Sequence, residues 1–177
     1  MKLALAFALA VASVSAAHGQ TAPAPQAAQA AQSPQRTTAT YDDWTVRCAV
    51  VEGRKSCEMA QAMQIKGQAQ PVTQIAIGRI AKTDPIKMVF QVPIDVWLPS
   101  GVKLVADDKD PGIAAGYRRC LPAACLAEAE VKDDVIRKLR GLADNGKLQF
   151  KDAAQQDIAI PVSFKGFGQA WDAMTKP

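Results

Sequence analysis

From Trp44 onward the chain is patterned mainly in twos. In WTVRC, Trp44, Val46 and Cys48 alternate with Thr45 and Arg47, the period of a half-buried strand. PVTQIAIGRIA sets Ile75 and Ile77 on one face, GVKLVAD sets Val102, Leu104 and Ala106, and DIAIPVSF sets Ile158, Ile160, Val162 and Phe164. The longest row is Ile86, Met88, Phe90, Val92, Ile94 and Val96 in IKMVFQVPIDVWLP. Pro93 lacks the N–H that a ladder needs, so this row should bend there or lie at a sheet edge. AAGYRRC and CLAEAEV read as the two arms of a hairpin. Two stretches change period. KDDVIRKLRGLADNG carries Val135, Ile136, Leu139 and Leu142 at helical spacing, with Asp133 or Asp134 as N-cap and Gly146 as stop. GFGQAWDAMTK spaces Phe167, Ala170, Trp171 and Met174 along one helical face. The pattern predicts a mainly β domain, either a β-sandwich or a barrel-like sheet, carrying two short helices.

The first 40 residues do not share this pattern. MKLALAFALAVASVSAAHGQ has one charge, Lys2, then an apolar run from Leu3 to about Val14 closed by small residues. This is the layout of a cleaved secretory signal, residues 1–19, with the cut after Ala17 or Gly19. The run is shorter than the ~20 residues of a spanning helix. No later segment reaches that length without charges, so no transmembrane segment is expected in the mature chain. Residues 20–40 are Ala, Gln, Pro and Thr with one charge, Arg36, and nothing large enough to bury. Such a composition predicts a disordered tether. One domain, residues 41–177, should follow.

Charge narrows the picture only slightly. The chain has 21 Lys and Arg against 17 Asp and Glu. Removing Lys2 and Arg36 leaves 19 against 17, so the domain is near +2. Apart from Arg137, Lys138 and Arg140 the basic residues are scattered, and aromatic residues do not alternate with them. A nucleic-acid footprint needs a clustered stripe; none is read here.

The four cysteines, Cys48, Cys57, Cys120 and Cys125, all fall in the domain. An even number in an exported chain favours disulfides. Pairing position 48 with 57 also pairs 51 with 54 and leaves Glu52-Gly53 as a two-residue hairpin loop. Directly opposed residues of an antiparallel pair lie ~4.5–5.5 Å apart at Cα, within disulfide reach. Cys120 and Cys125 flank Leu-Pro-Ala-Ala, with Pro122 placed to turn the chain. Two local staples are therefore predicted. The C-x₄-C spacing between strand-like runs is not the C-x-x-C of a thiol oxidoreductase, and C-x₈-C does not match the close pairs of a zinc site.

Catalytic candidates are few. The only histidine is His18, in the leader region, so the domain has no His for a nucleophile pair, a metal or general acid–base work. Ser56, Ser100 and Ser163 stand in no nucleophile motif. Asp107-Asp108-Lys109-Asp110-Pro111-Gly112 lacks the spacing and the distal Glu of a calcium loop and reads as an exposed turn. No catalytic, cofactor or metal residue is assigned.

Five motifs in order are W-x-V-x-C, C-x-M, VPIDVWLPSGVKLVAD, Y-x-x-C-x₄-C-x-A and PVSFKGFGQAWDAM. Together they resemble the invasion-associated locus B family of exported proteins of Gram-negative, mainly α-proteobacterial, bacteria, across Trp44 to Met174. Ala124 is a departure, since the family commonly has Gly before the last Cys. The resemblance implies a non-enzymatic protein of the periplasm, outer envelope or medium, linked in pathogens to entry into host cells, with no catalytic residues to carry over. A binding or accessory module with a protein or envelope partner is the first reading. A periplasmic thiol-redox factor or other enzyme is the alternative. For the first, the contact candidates are Trp97 and Leu98 in the Asp95–Pro99 segment, where Trp97 is either an exposed anchor or partly buried packing.

Overall fold

Residues 36–51, 53–64, 73–79, 81, 83–107 and 109–176 are described in the computed structural model. The predicted leader, and residues 20–35 of the predicted tether, lie outside them. The strands are β1 (Arg36–Tyr41), β2 (Trp44–Val51), β3 (Arg54–Met63), β4 (Thr73–Arg79), β5 (Ile86–Val92), β6 (Val102–Val105), β7 (Ile113–Leu121), β8 (Ala124–Val131), β9 (Asn145–Lys151) and β10 (Asp157–Ser163). Helix α1 (Asp133–Arg140) follows β8, and α2 (Phe167–Thr175) follows β10. Among the described residues these strands form one ten-stranded antiparallel sheet, ordered β1-β2-β3-β4-β5-β8-β7-β6-β9-β10. The barrel-like expectation holds in the form of one curled sheet; two stacked sheets are not formed.

The inward rows are those the alternation marks. Trp44 and Val46, Ile75 and Ile77, Met88, Phe90 and Val92, and Leu104 are buried along one face. Ile158 and Ile160 are only partly buried, while Val162 and Phe164 complete that row inside the core. Helix α2 fills the hollow of the curl with Phe167, Ala170, Trp171 and Met174, and Phe167 meets Trp44 edge-on at 5.0 Å between ring centroids. The Arg79 guanidinium lies 5.9 Å over the Trp171 ring. Burying each of these large groups is worth about 1.5–3 kcal/mol.

Side chains of β2 and β3 tie the end of β10 across the curl. Gln61, buried on β3, donates from Nε2 to the Ser163 carbonyl at 2.8 Å, and its Oε1 accepts the Ser163 N–H at 3.0 Å. The Trp44 indole N–H donates to the same carbonyl at 2.9 Å. The Gln61 amide thus pairs with the end of β10 as a peptide group would. Gly166 then turns the chain into α2 with φ 79, where any Cβ would collide with the Tyr41 carbonyl, so glycine alone fits.

Four expectations are corrected. Residues 36–40 are strand β1 rather than tether, paired with β2 from Arg36↔Ala49 to Tyr41↔Trp44. Main-chain pairing needs no apolar side chain, so a Thr-rich segment can join an edge. The N-cap of α1 is Lys132, with Asp133 and Asp134 inside the first turn, where they complement the helix dipole. Gly141, not Gly146, ends α1, and Gly146 lies in β9 with a Cβ position already occupied by Val105 and Phe164. Finally, the long row does break at Pro93, but its strand is flanked by β4 and β8 rather than lying at an edge, and past Pro93 Ile94 is exposed while Val96 is buried.

Candidate contact surface

Both hairpin staples are formed. Cys48 is bonded to Cys57 with Cα atoms 4.0 Å apart, and Cys120 to Cys125 at 3.9 Å. The registers Val51↔Arg54 and Leu121↔Ala124 leave two-residue loops. The hairpins point to opposite ends of the sheet. Cys57 faces Arg79 near the start of β5, whereas Cys125 faces Val92 at its end.

At the Cys125 end, large apolar side chains face solvent. Trp97 is 39% exposed, Leu98 51%, Ile94 48% and Leu121 48%. Leu121 follows Cys120 at the hairpin tip, with Arg118 and Arg119 exposed beside it on β7. The Ile94 carbonyl sits 3.8 Å from the Cys125 sulfur. Trp97 and Leu98 are brought to this end by a rigid loop, residues 93–101. Val96 is buried and bridges to Asp152, the Trp97 N–H donates to the Lys151 carbonyl at 2.9 Å, and the Ala153 N–H donates to the Asp95 carbonyl at 3.2 Å. A single 3-10 turn, Leu98–Ser100, follows, and the Ser100 hydroxyl donates back to the Trp97 carbonyl at 2.8 Å. Gly101 ends that turn with φ 62, hard against the Ala115 carbonyl. Of the two predicted contact residues, both are exposed on this fixed loop. Ile94 and Leu121 join them without having been expected. The alternation places Ile94 in the inward row, and Leu121 carries no signal beyond its place next to the turn.

The other features singled out in the sequence are structural. Arg137, Lys138 and Arg140 lie in the last turn of α1, favourable to its dipole. Arg140 donates to both carboxylate oxygens of Asp172, at 2.7 and 2.9 Å, tying α1 to α2. In the acidic stretch, Asp110 accepts from the Ala106 and Gly112 N–H groups and from Lys138 at 2.6 Å. The Lys138 ammonium holds the Asp110 carboxyl below the usual carboxylate range. Among the described residues no three His, Cys, Asp or Glu side chains converge as a metal site would. No helix among them is long and apolar enough to cross a membrane.

A disulfide-stapled, curled β domain with a pinned apolar end is the class that fold and surface define. The chain belongs to the invasion-associated locus B (IalB) family, whose model matches residues 44–175. An invasion protein B homologue of Brucella abortus is 29% identical over 140 residues, covering 77% of this chain and 80% of that protein. Invasion protein B of Bartonella bacilliformis is 23% identical over 141 residues, covering 78% and 74%. The crystal structure of invasion-associated protein B from Bartonella henselae superposes with a TM-score of 0.69 at 23% identity, covering 78% of this chain and 94% of that one. That likeness concerns the fold.

Proposed function

We propose that this chain is an exported, non-enzymatic binding protein of the cell envelope or medium, which holds a protein partner on Ile94, Trp97, Leu98 and Leu121. The observation that carries the reading is the exposure of four large apolar side chains on a loop and hairpin that are already fixed in place. Fixing a contact surface in advance lowers the ordering cost of association, and exposed Trp is a common anchor of interfaces. Export is supported by the signal-like leader and by two disulfides, which persist in oxidising compartments. An invasion-associated role is supported by the names of the relatives, which are invasion proteins.

The test is a capture experiment with the purified chain, from envelope extract and from host-cell lysate, against the double variant Trp97→Ala, Leu98→Ala. Loss of an anchor of this kind weakens binding by about 30-fold or more. The variant should fold with a stability change within about 0.5 kcal/mol, because both side chains stand off the core. Identical capture by variant and parent would remove this surface from consideration.

A further inference from the structure

We propose that two copies of this chain pair through the outer edge of β1, extending the sheet across a twofold axis. The two outermost strands of the sheet are unlike. β10 is blunted: Pro161 offers no N–H, and the N–H and carbonyl of Ser163 are taken by Gln61 and Trp44. Natural sheets protect edges in these ways. Neither feature is seen on β1 among the described residues. It contains no proline, and Arg36 to Thr40 are exposed on both faces. Because β10 closes against Trp44 and Gln61, on the inner face of β2 and β3, the curl leaves the outer edge of β1 outside its own closure.

Ladder parity identifies the groups on that edge. Residues of an antiparallel strand bond alternately to one neighbour and to the other. Tyr41 and Trp44 flank the two-residue turn Asp42-Asp43, which is the hydrogen-bonded position of such a hairpin. Tyr41, Ala39 and Thr37 therefore bond to β2. The first disulfide gives the same parity independently. Its Cα separation of 4.0 Å marks Cys48 and Cys57 as a close, non-hydrogen-bonded pair, so Cys48 bonds instead to its other neighbour, Thr37. Arg36, Thr38 and Thr40 are left with N–H and carbonyl directed away from β2, toward no strand among the described residues.

A second copy matches this edge in one register. With the twofold axis at Thr38, Thr38 faces the second copy's Thr38 and Arg36 faces the second copy's Thr40. Every outward N–H and carbonyl of the three residues then finds a partner. Moving the axis to Ala39 would set Arg36 against Asp42, whose left-handed backbone at φ 48 has already left the ladder. In the Thr38 register no like charges are opposed. A contact this short falls below the ~1,000 Å² of stable interfaces and belongs to the weak, concentration-dependent class, with a Kd of about 10–100 µM.

Sedimentation equilibrium of the purified chain, disulfides intact, from about 1 to about 500 µM spans that Kd. It should show a reversible monomer–dimer equilibrium. Thr38→Pro removes the central outward N–H and spares the bonds to β2, so it should be monomeric with unchanged circular dichroism. Thr38→Cys should form an intermolecular disulfide at least about ten times faster than Thr40→Cys, since only position 38 faces itself across the axis. A chain that stays monomeric over the whole range overturns the proposal, including one whose β1 edge accepts an unrelated strand peptide instead. A dimer that survives in a folded Thr38→Pro variant also overturns it. Should Thr38→Pro fail to fold, the two cysteine variants decide: equal cross-linking rates overturn the pairing.

Discussion

Tyr117 carries a buried hydroxyl with no hydrogen-bond partner among the described residues. Burial raises its phenol from 10.0 to about 12. Below pH 10 the group is protonated in both the folded and the unfolded chain. Between pH 10 and about 12 the unfolded chain loses the proton first, so stability falls as pH rises through that window. Tyr117→Phe should be neutral or stabilising by about 1 kcal/mol, since it deletes an unsatisfied polar atom. It should also flatten the alkaline loss; denaturant unfolding of both chains at neutral and alkaline pH is the measurement. Gln61 is the opposite case, a buried amide whose two ends are both paired. Nothing in the residues around it marks that role, because its partner Ser163 is 102 positions away. A long-range hydrogen bond leaves no periodic trace.

At the scale of elements, both disulfide hairpins could be read directly, because turn chemistry, alternation and cysteine parity all lie within about ten residues. Replacing Cys120 and Cys125 together by Ala should cost roughly 2–3 kcal/mol in unfolding free energy, mostly by freeing the unfolded chain. Native circular dichroism should be unchanged. A partner held on Trp97 should still be captured at a temperature where the domain stays folded, and a loss of capture would show that the staple itself positions the surface. The ends of α1 were less readable. Lys132 became its N-cap because β8 ends at Val131, a boundary set by pairing with β5. Gly146 had the chemistry of a stop, yet Gly141 comes first after the last buried helical residue, Leu139.

For the molecule as a whole, α2 is the plug of the curl. Trp171 is 7% exposed and stacks under Arg79. Trp171→Ala should lower stability by about 3–5 kcal/mol, as for other buried aromatics, in the same denaturant assay. A loss below about 1 kcal/mol would mean that the helix does not hold the sheet closed. The strand order could not be read from the chain, since β6 lies between β7 and β9 rather than beside β5. That exchange depends on where the 93–101 loop crosses the sheet end, and its anchors are the Lys151 carbonyl and Asp152, some fifty positions away.

The sequence by itself determined the apolar face of β2, β4, β5, β6 and β10, which cysteines bond, and which side of α2 is buried. These follow from period, turn residues and spacing, all local quantities. The tertiary structure alone decided that residues 36–40 form a strand, that Ile94 is exposed as Trp97, Leu98 and Leu121 are, and that Gln61 ties β10 to β3. Each of these depends on what a distant segment presents: a neighbour's free main-chain groups, the end of β9 at Lys151 and Asp152, or the carbonyl of Ser163. Hydrogen bonding and burial are settled between segments, and their outcome is written only in the folded chain.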